Sequence, residues 1–232
     1  MKYTNIVEGV FIARPNRFIA KVQIDGKEET AHVKNTGRCR EILVPGTKVC
    51  LQYFGPAVYK RKTKYDLVSA YKGDMLINID SQIPNTVAEE WLRSNEKITY
   101  IKREYVYGDS RVDFLLGSHN DKKILLEIKG CTLEKDGTGF FPDAPTERGR
   151  KHLRELTEAL KNGYKAALGF VIQMDGISRV CPNTETDPGF GELLEAAYEA
   201  GVDILFMECH VERDSLEVIR VTTYNNRPVF WL

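Results

Sequence analysis

The sequence predicts a mixed α+β and α/β chain, in which a small N-terminal β-barrel precedes an α/β domain with a mixed central sheet. Three observations predict it. Residues 1–75 hold five short alternating segments and no helical spacing. After Pro84, apolar residues recur at helical spacing in stretches separated by apolar strands. The 232 residues carry no internal repeat and suffice for two small domains with real cores.

In order along the chain, residues 7–13 and 18–24 alternate, Asp25-Gly26 makes a hairpin turn, and residues 30–34 return. Asn35-Thr36-Gly37 and Pro45-Gly46 mark turns, with Gly37 expected to supply a positive φ. Residues 48–54 and 65–71 complete five strands, which fit an OB-like barrel. The first domain is placed at 1–80 and the second at 81–232. Val87, Ala88, Trp91 and Leu92 then share a helical face behind Asn85, a candidate N-cap. A strand at 101–107, a hairpin at 111–129 and a glycine-bearing loop at 134–141 follow. A helix from about residue 146 to 161 stops at Asn162-Gly163. Residues 166–174 read as a buried strand, 192–200 as another amphipathic helix, and 202–207 as a core strand.

The hairpin carries the chemistry. Arg111-Val112-Asp113-Phe114-Leu115-Leu116 and Ile124-Leu125-Leu126-Glu127-Ile128-Lys129 both alternate, and a polar connection at 118–122 joins them. Folding symmetrically about Asn120 makes facing residue numbers sum to 240. Asp113 then opposes Glu127, Arg111 opposes Lys129, and Val112, Phe114, Leu116, Ile124, Leu126 and Ile128 form the core face. Facing carboxylates about 5 Å apart repel, and without a cation at least one pKa should rise. Mg²⁺ relieves this, because it accepts one or two carboxylates and keeps several waters for a phosphate to displace. Lys129, two residues beyond Glu127, points the same way and can orient or deprotonate a water, or balance phosphorane charge. A solvated strand face of mixed charge is the plain alternative.

The chain resembles the sugar fermentation stimulation protein A (SfsA) family in four stretches. They are His32-Val33-Lys34-Asn35-Thr36-Gly37, Ser110-Arg111-Val112-Asp113-Phe114-Leu115-Leu116, Glu127-Ile128-Lys129, and Phe141-Pro142-Asp143-Ala144-Pro145-Thr146-Glu147-Arg148-Gly149-Arg150-Lys151-His152-Leu153. Cys131 stands where valine is expected, at a packing position. The resemblance runs over essentially the whole chain. It implies an OB-like barrel joined to a restriction-endonuclease-like domain of the PD-(D/E)xK type, in a DNA-binding protein. The order αβββαβαβ after residue 84 agrees with such a core.

Other residues join this reading. On the helix from 146, Leu153, Leu156 and Leu160 define the buried stripe, with Asp143 or Thr146 as cap. Arg148, Lys151 and His152 share one flank near a helix N-terminus, where cations cost about 0.3–1 kcal/mol unless anions compensate. This flank reads as a phosphate seat. Glu90 is a candidate third carboxylate, since folds of the implied class often add one from the first helix; Glu89 is a weaker one. In the barrel, Arg14, Arg17, Lys21, Lys34, Arg38, Arg40 and the run Lys60-Arg61-Lys62 with Lys64 accompany Tyr53, Phe54, Tyr59 and Tyr65, a pattern that can hold a phosphate backbone and stack bases.

The net charge of zero hides an asymmetry: residues 1–75 hold 14 Lys/Arg against 7 Asp/Glu, and residues 76–232 hold 19 against 26. A basic first part and an acidic remainder suit a backbone-gripping module beside a metal-binding one. Five scattered cysteines without a CxxC pair fit a reducing cytoplasm and argue against structural zinc. No apolar run reaches a membrane span.

The leading expectation is a cytoplasmic DNA-binding protein with a Mg²⁺- or Mn²⁺-dependent phosphodiesterase (nuclease) site, linked by resemblance to regulation of sugar fermentation. Asp113, Glu127 and the Ile128 backbone carbonyl hold the metal, Lys129 positions the water, and Arg111, Arg148, Lys151, His152, Arg38, Lys60, Arg61 and Lys62 contact phosphate. Strand preference is open, as is pairing with a second copy of the chain. Two alternatives stay open: a non-catalytic DNA-binding regulator on a nuclease scaffold, and a metal-dependent hydrolase of a small phosphorylated metabolite.

Overall fold

A computed structural model describes residues 1–35, 37–55, 61–119, 122–229 and 231. Thr36, Tyr59, Lys60 and Asn120 lie outside the described residues. The expected fold class is the one observed. Strands β1 (Ile6–Asn16), β2 (Ile19–Ile24), β3 (Lys27–Val33), β4 (Lys48–Tyr53), β5 (Tyr65–Lys72) and β6 (Met75–Asn78) form one sheet in the order β3-β2-β1-β4-β5-β6. A parallel pairing of β3 with β5 closes the first five into a barrel. Register shifts at Phe11/Ala13 and Ala13/Asn16 let β1 curve around it. Asp25 and Gly26 both take positive φ, the conformation a two-residue hairpin turn requires. Alternation puts Phe11, Val22, Val33, Val49, Leu51 and Leu67 in its buried interior.

The second part runs α1 (Pro84–Ser94), β7 (Ile98–Tyr107), β8 (Ser110–Ser118), β9 (Lys123–Cys131), β10 (Leu133–Lys135), β11 (Thr138–Phe141), α2 (Glu147–Lys161), β12 (Lys165–Ile172), β13 (Val180–Pro182), α3 (Pro188–Ala200), β14 (Asp203–Val211) and β15 (Leu216–Thr223). Its six-stranded sheet is ordered β15-β14-β12-β9-β8-β7, parallel across β9, β12 and β14 and antiparallel at both edges. Val87, Ala88 and Leu92 of α1 cover one face, packing in the same cluster as Phe114, Leu116, Ile124, Leu126 and Ile128. On the other face, Leu153 and Leu156 of α2 and Phe190 of α3 cluster with Leu115, Leu125, Leu168 and Phe170. That second cluster continues into the barrel through Ile77, Leu67 and Phe11, so the two parts share one apolar core. No helix among the described residues is long and apolar enough to cross a membrane.

Several local expectations are corrected. Asn85 is not the N-cap, because α1 starts at Pro84 behind Ile83. The loop at 134–141 is the β10–β11 hairpin, turning at Asp136-Gly137, where both φ are positive. With helices on both faces, Leu115 and Leu125 are buried too, so the hairpin has no solvated face where residues 114–116 pair with 124–126. Gly37 does not supply a positive φ. Glycine stands there for room: an added Cβ would lie 2.2 Å from Asp143 Oδ2 and 2.8 Å from Asn35 Oδ1. Gly37→Ala is therefore expected to destabilise the fold by about 1–3 kcal/mol through overpacking. Chemical denaturation measures this, and Gly37→Ala combined with Asp143→Ala should recover part of the loss.

Candidate functional site

The β8–β9 ladder pairs Phe114 with Leu126, Leu115 with Leu125, Leu116 with Ile124 and Gly117 with Lys123, the register expected from the sequence. The ladder ends at Phe114. Beyond it the strands part, and the amides that lose their ladder partners turn to carboxylates. Ile128 N–H donates to Asp113 Oδ2 at 2.7 Å, and Asp113 N–H donates to Glu127 Oε2 at 3.4 Å. On the outer side, Glu104 stands opposite Asp113, takes φ of 51°, and drops out of the β7–β8 ladder. This irregularity moves Val112 out of its expected face: it packs in the cluster of Leu115, not that of Phe114 and Leu116.

Three further elements complete the fork. Asn85, in the first turn of α1, donates to Asp113 Oδ1 at 2.7 Å. Lys129 Nζ donates to Glu127 Oε1 at 2.6 Å. His152, on α2 and only 5% exposed, places Nδ1 against the same oxygen and lies 3.2 Å from Lys129 Nζ. Arg148 Nε–H donates to His152 Nε2 at 3.4 Å, so the imidazole proton sits on Nδ1 and points to Glu127. Burial would push the Glu127 carboxyl up, but His152 and Lys129 hold it below the ordinary range. Burial and then the charge of Glu127 push the Asp113 carboxyl above its ordinary value.

The other expected residues are placed differently. Glu90 is 52% exposed and pairs with the Met1 amino group at 2.6 Å; from α1 it is Asn85 that reaches Asp113. Glu89 pairs with Arg93 and Arg103. Arg111 is exposed, lies 3.6 Å from Glu104, and pairs across β7 with Val106 instead of facing Lys129. His152, expected on the phosphate-contacting flank, is buried against Glu127. Arg148 and Lys151 remain exposed on the first turns of α2, whose cap is Thr146. In the barrel, Arg61 stacks 3.6 Å from the Phe54 ring and pairs with Asp66, and Lys34 bridges Asp66 and Asp80 at 3.1 and 3.0 Å. Lys62 is exposed, and Arg38 donates its backbone N–H to Asp143 at 3.0 Å. Arg14, read from sequence as a surface cation, instead donates to the carbonyls of Arg17, Asn35, Gly37 and Arg38.

A groove of about 470 Å³ on the barrel is lined by Phe18, His32, Lys34, Arg61, Lys62 and Asp66. Another of about 430 Å³ follows α3 past Glu192, Glu195 and Glu199, the wrong sign for phosphate. Among the described residues no group of three His, Cys, Asp or Glu side chains is arranged to hold a metal ion by itself. The fork instead offers two carboxylates and the Ile128 carbonyl, which on an extended strand faces the same neighbour as its N–H. All three are hard oxygen donors, and a cation would relieve the raised Asp113 carboxyl, so the set fits a divalent ion that keeps several waters.

Two family models match: the SfsA N-terminal OB domain over residues 12–79 and the sugar fermentation stimulation protein RE domain over residues 82–215. The sugar fermentation stimulation protein homolog of Desulfitobacterium hafniense (strain DSM 10664 / DCB-2) is 54% identical over 220 residues, covering 94% of this chain and 95% of that one. The homolog from Clostridium beijerinckii is 51% identical over 221 residues, covering 94% and 96%. Among solved structures, Pyrococcus furiosus SfsA in complex with Ca²⁺ superposes with a TM-score of 0.81 at 29% identity, over 96% of this chain and 95% of that one.

Proposed function

The chain belongs to the sugar fermentation stimulation protein family, and from that premise we propose that it binds DNA and hydrolyses phosphodiester bonds with a divalent cation. One observation carries the reading: Asp113 and Glu127 meet where a sheet forks open, with Lys129 2.6 Å from Glu127. The family relative solved with Ca²⁺ supports a hard divalent ion in this fold, and Mg²⁺ or Mn²⁺ is the proposed physiological choice. Held by Asp113, Glu127 and the Ile128 carbonyl, it would acidify a water and offset charge on the phosphate.

The chain's own residues do the rest. Asn85 and the Ile128 amide fix both oxygens of Asp113, so its rotamer is set before substrate arrives. His152 does the same for Glu127 from the opposite side. Lys129 carries the positive charge that orients the attacking water or meets a phosphate oxygen. Arg148 and Lys151 stand exposed where the α2 N-terminus already favours anions. The barrel groove of Lys34, Arg61 and Lys62 holds the backbone without reading sequence. Five unpaired cysteines suit work in a reducing cytoplasm.

A second reading has its own observation. Asp113 and Glu127 already have partners in Asn85, Ile128, Lys129 and His152, which a non-catalytic DNA-binding scaffold could keep for stability. Incubating wild type and Asp113→Ala with labelled single- and double-stranded DNA in Mg²⁺, Mn²⁺ or EDTA separates the two. Cleavage in the metal lanes alone, lost in the variant, supports the enzyme. Binding without cleavage in every lane supports the scaffold.

A further inference from the structure

Between the barrel and the α/β domain lies a cavity of about 150 Å³ that the chemistry above leaves unused. Asn35, Ser81, Thr132, Phe141, Asp143 and Gln173 line it, contributed by five separate stretches of chain. Two glycines let those stretches close on one another. An added Cβ would lie 2.2 Å from Asp143 Oδ2 at Gly37, and 2.3 Å from Gln173 Oε1 at Gly130. Neither glycine has a positive φ, so both are there for close approach.

The lining defines what fits. It offers hydroxyls, amides, a carboxylate and aromatic rings, with no lysine or arginine, so a phosphate would meet Asp143 with no cation on the cavity wall. Asp143 spends Oδ2 on the Arg38 amide, leaving Oδ1 unused by the described residues. A flat heterocycle with N–H donors at its edge satisfies such walls. The cavity is also next to the fork. Gly130 follows Lys129 directly, and a Cβ added to it would lie 2.8 Å from Cγ of Pro84, which opens the helix whose Asn85 holds Asp113.

Resting on the phosphodiesterase reading, we propose that this cavity takes the base of one unpaired nucleotide beside the phosphate at the fork. The substrate class is then single-stranded or locally opened nucleic acid, because a base must leave its stack to enter, at a cost least for strands already unpaired.

An abasic scan tests this with two readouts. Fluorescent single-stranded oligonucleotides carrying one abasic residue, moved stepwise along the strand, are bound to the full chain in Ca²⁺ and cleaved in Mg²⁺ or Mn²⁺. One position should weaken binding about tenfold, the size of a lost base–aromatic contact. Thr132→Leu, which fills the cavity, should bind the intact strand as weakly as wild type binds that abasic one, and lose the positional signal. Asp143→Asn, which can still accept from Arg38, should change the order of preference among the four homopolymers. A flat scan in wild type, or an unaltered positional signal in both variants, overturns the proposal. Cleavage with a flat scan removes the pocket and keeps the phosphodiesterase; a positional binding signal without cleavage does the reverse.

Discussion

Lys129→Ala is expected to slow metal-dependent cleavage by about 10²–10⁴-fold, the usual weight of a positioned proton-transfer group. Its ammonium is the one cation hydrogen-bonded to Glu127 among the described residues, and its side chain is only 14% exposed. Removing it also removes a positive charge from beside the proposed metal ligands. The variant should therefore bind Mg²⁺ or Ca²⁺ no less tightly than wild type, while turning over far more slowly. Single-turnover cleavage with calorimetric titration of the metal reads both quantities. Lys129→Arg should not restore the rate, because a planar guanidinium cannot replace a compact ammonium in that geometry. Parallel losses in cleavage and metal affinity would make Lys129 a scaffold residue.

Asp113→Asn should raise the stability of the metal-free protein and abolish stabilisation by divalent ions. The Asp113 carboxyl is raised by burial and by Glu127, so the folded state holds its proton more tightly than the unfolded chain does. Its contribution is fully present below the ordinary carboxylate range and is lost as pH rises through the elevated folded value. Near neutrality the ionised group is a net cost, which asparagine removes. Glu127 has the opposite sign: its lowered pKa contributes above the ordinary range and fades as pH falls through the folded value. A gain of about 1 kcal/mol would raise Tm by about 2–4 °C for a chain of this size. For wild type, a divalent ion at a hundred times its Kd adds about 2.7 kcal/mol. Thermal melts of both proteins in EDTA and in Ca²⁺, at acidic and neutral pH, check the reversal. A variant that melts lower than wild type in EDTA would sink the electrostatic account.

The hairpin register was legible because it needs only a period of two and a symmetric polar turn. What lay outside the reach of that pattern was the fork. Where a ladder stops depends on Glu104 across the sheet and on side chains that capture the freed amides, and neither has a periodic signature. From α1 it is Asn85, and not the Glu90 that the sequence suggests, that reaches Asp113. These two are five residues apart, about 140° around a helix, so both cannot face the same carboxylate. The phase depends on where α1 begins, which Pro84 sets two residues ahead of the start that an Asn85 cap would give. The five barrel strands were readable, whereas β10, β11 and β13, of three or four residues, are too short to show a period. His152 looked like a surface cation because its helix flank is basic; its burial follows from the seat beside Glu127, a contact across 25 residues.

The apolar cluster joining barrel and sheet has a mechanical meaning. A grip and a cutting edge set in one solid body cannot swing against each other, so on the proposed reading a strand seated in the barrel reaches the fork at a constant offset. The molecule would then behave as a ruler, with product lengths measured from the held point set by its frame and insensitive to base composition.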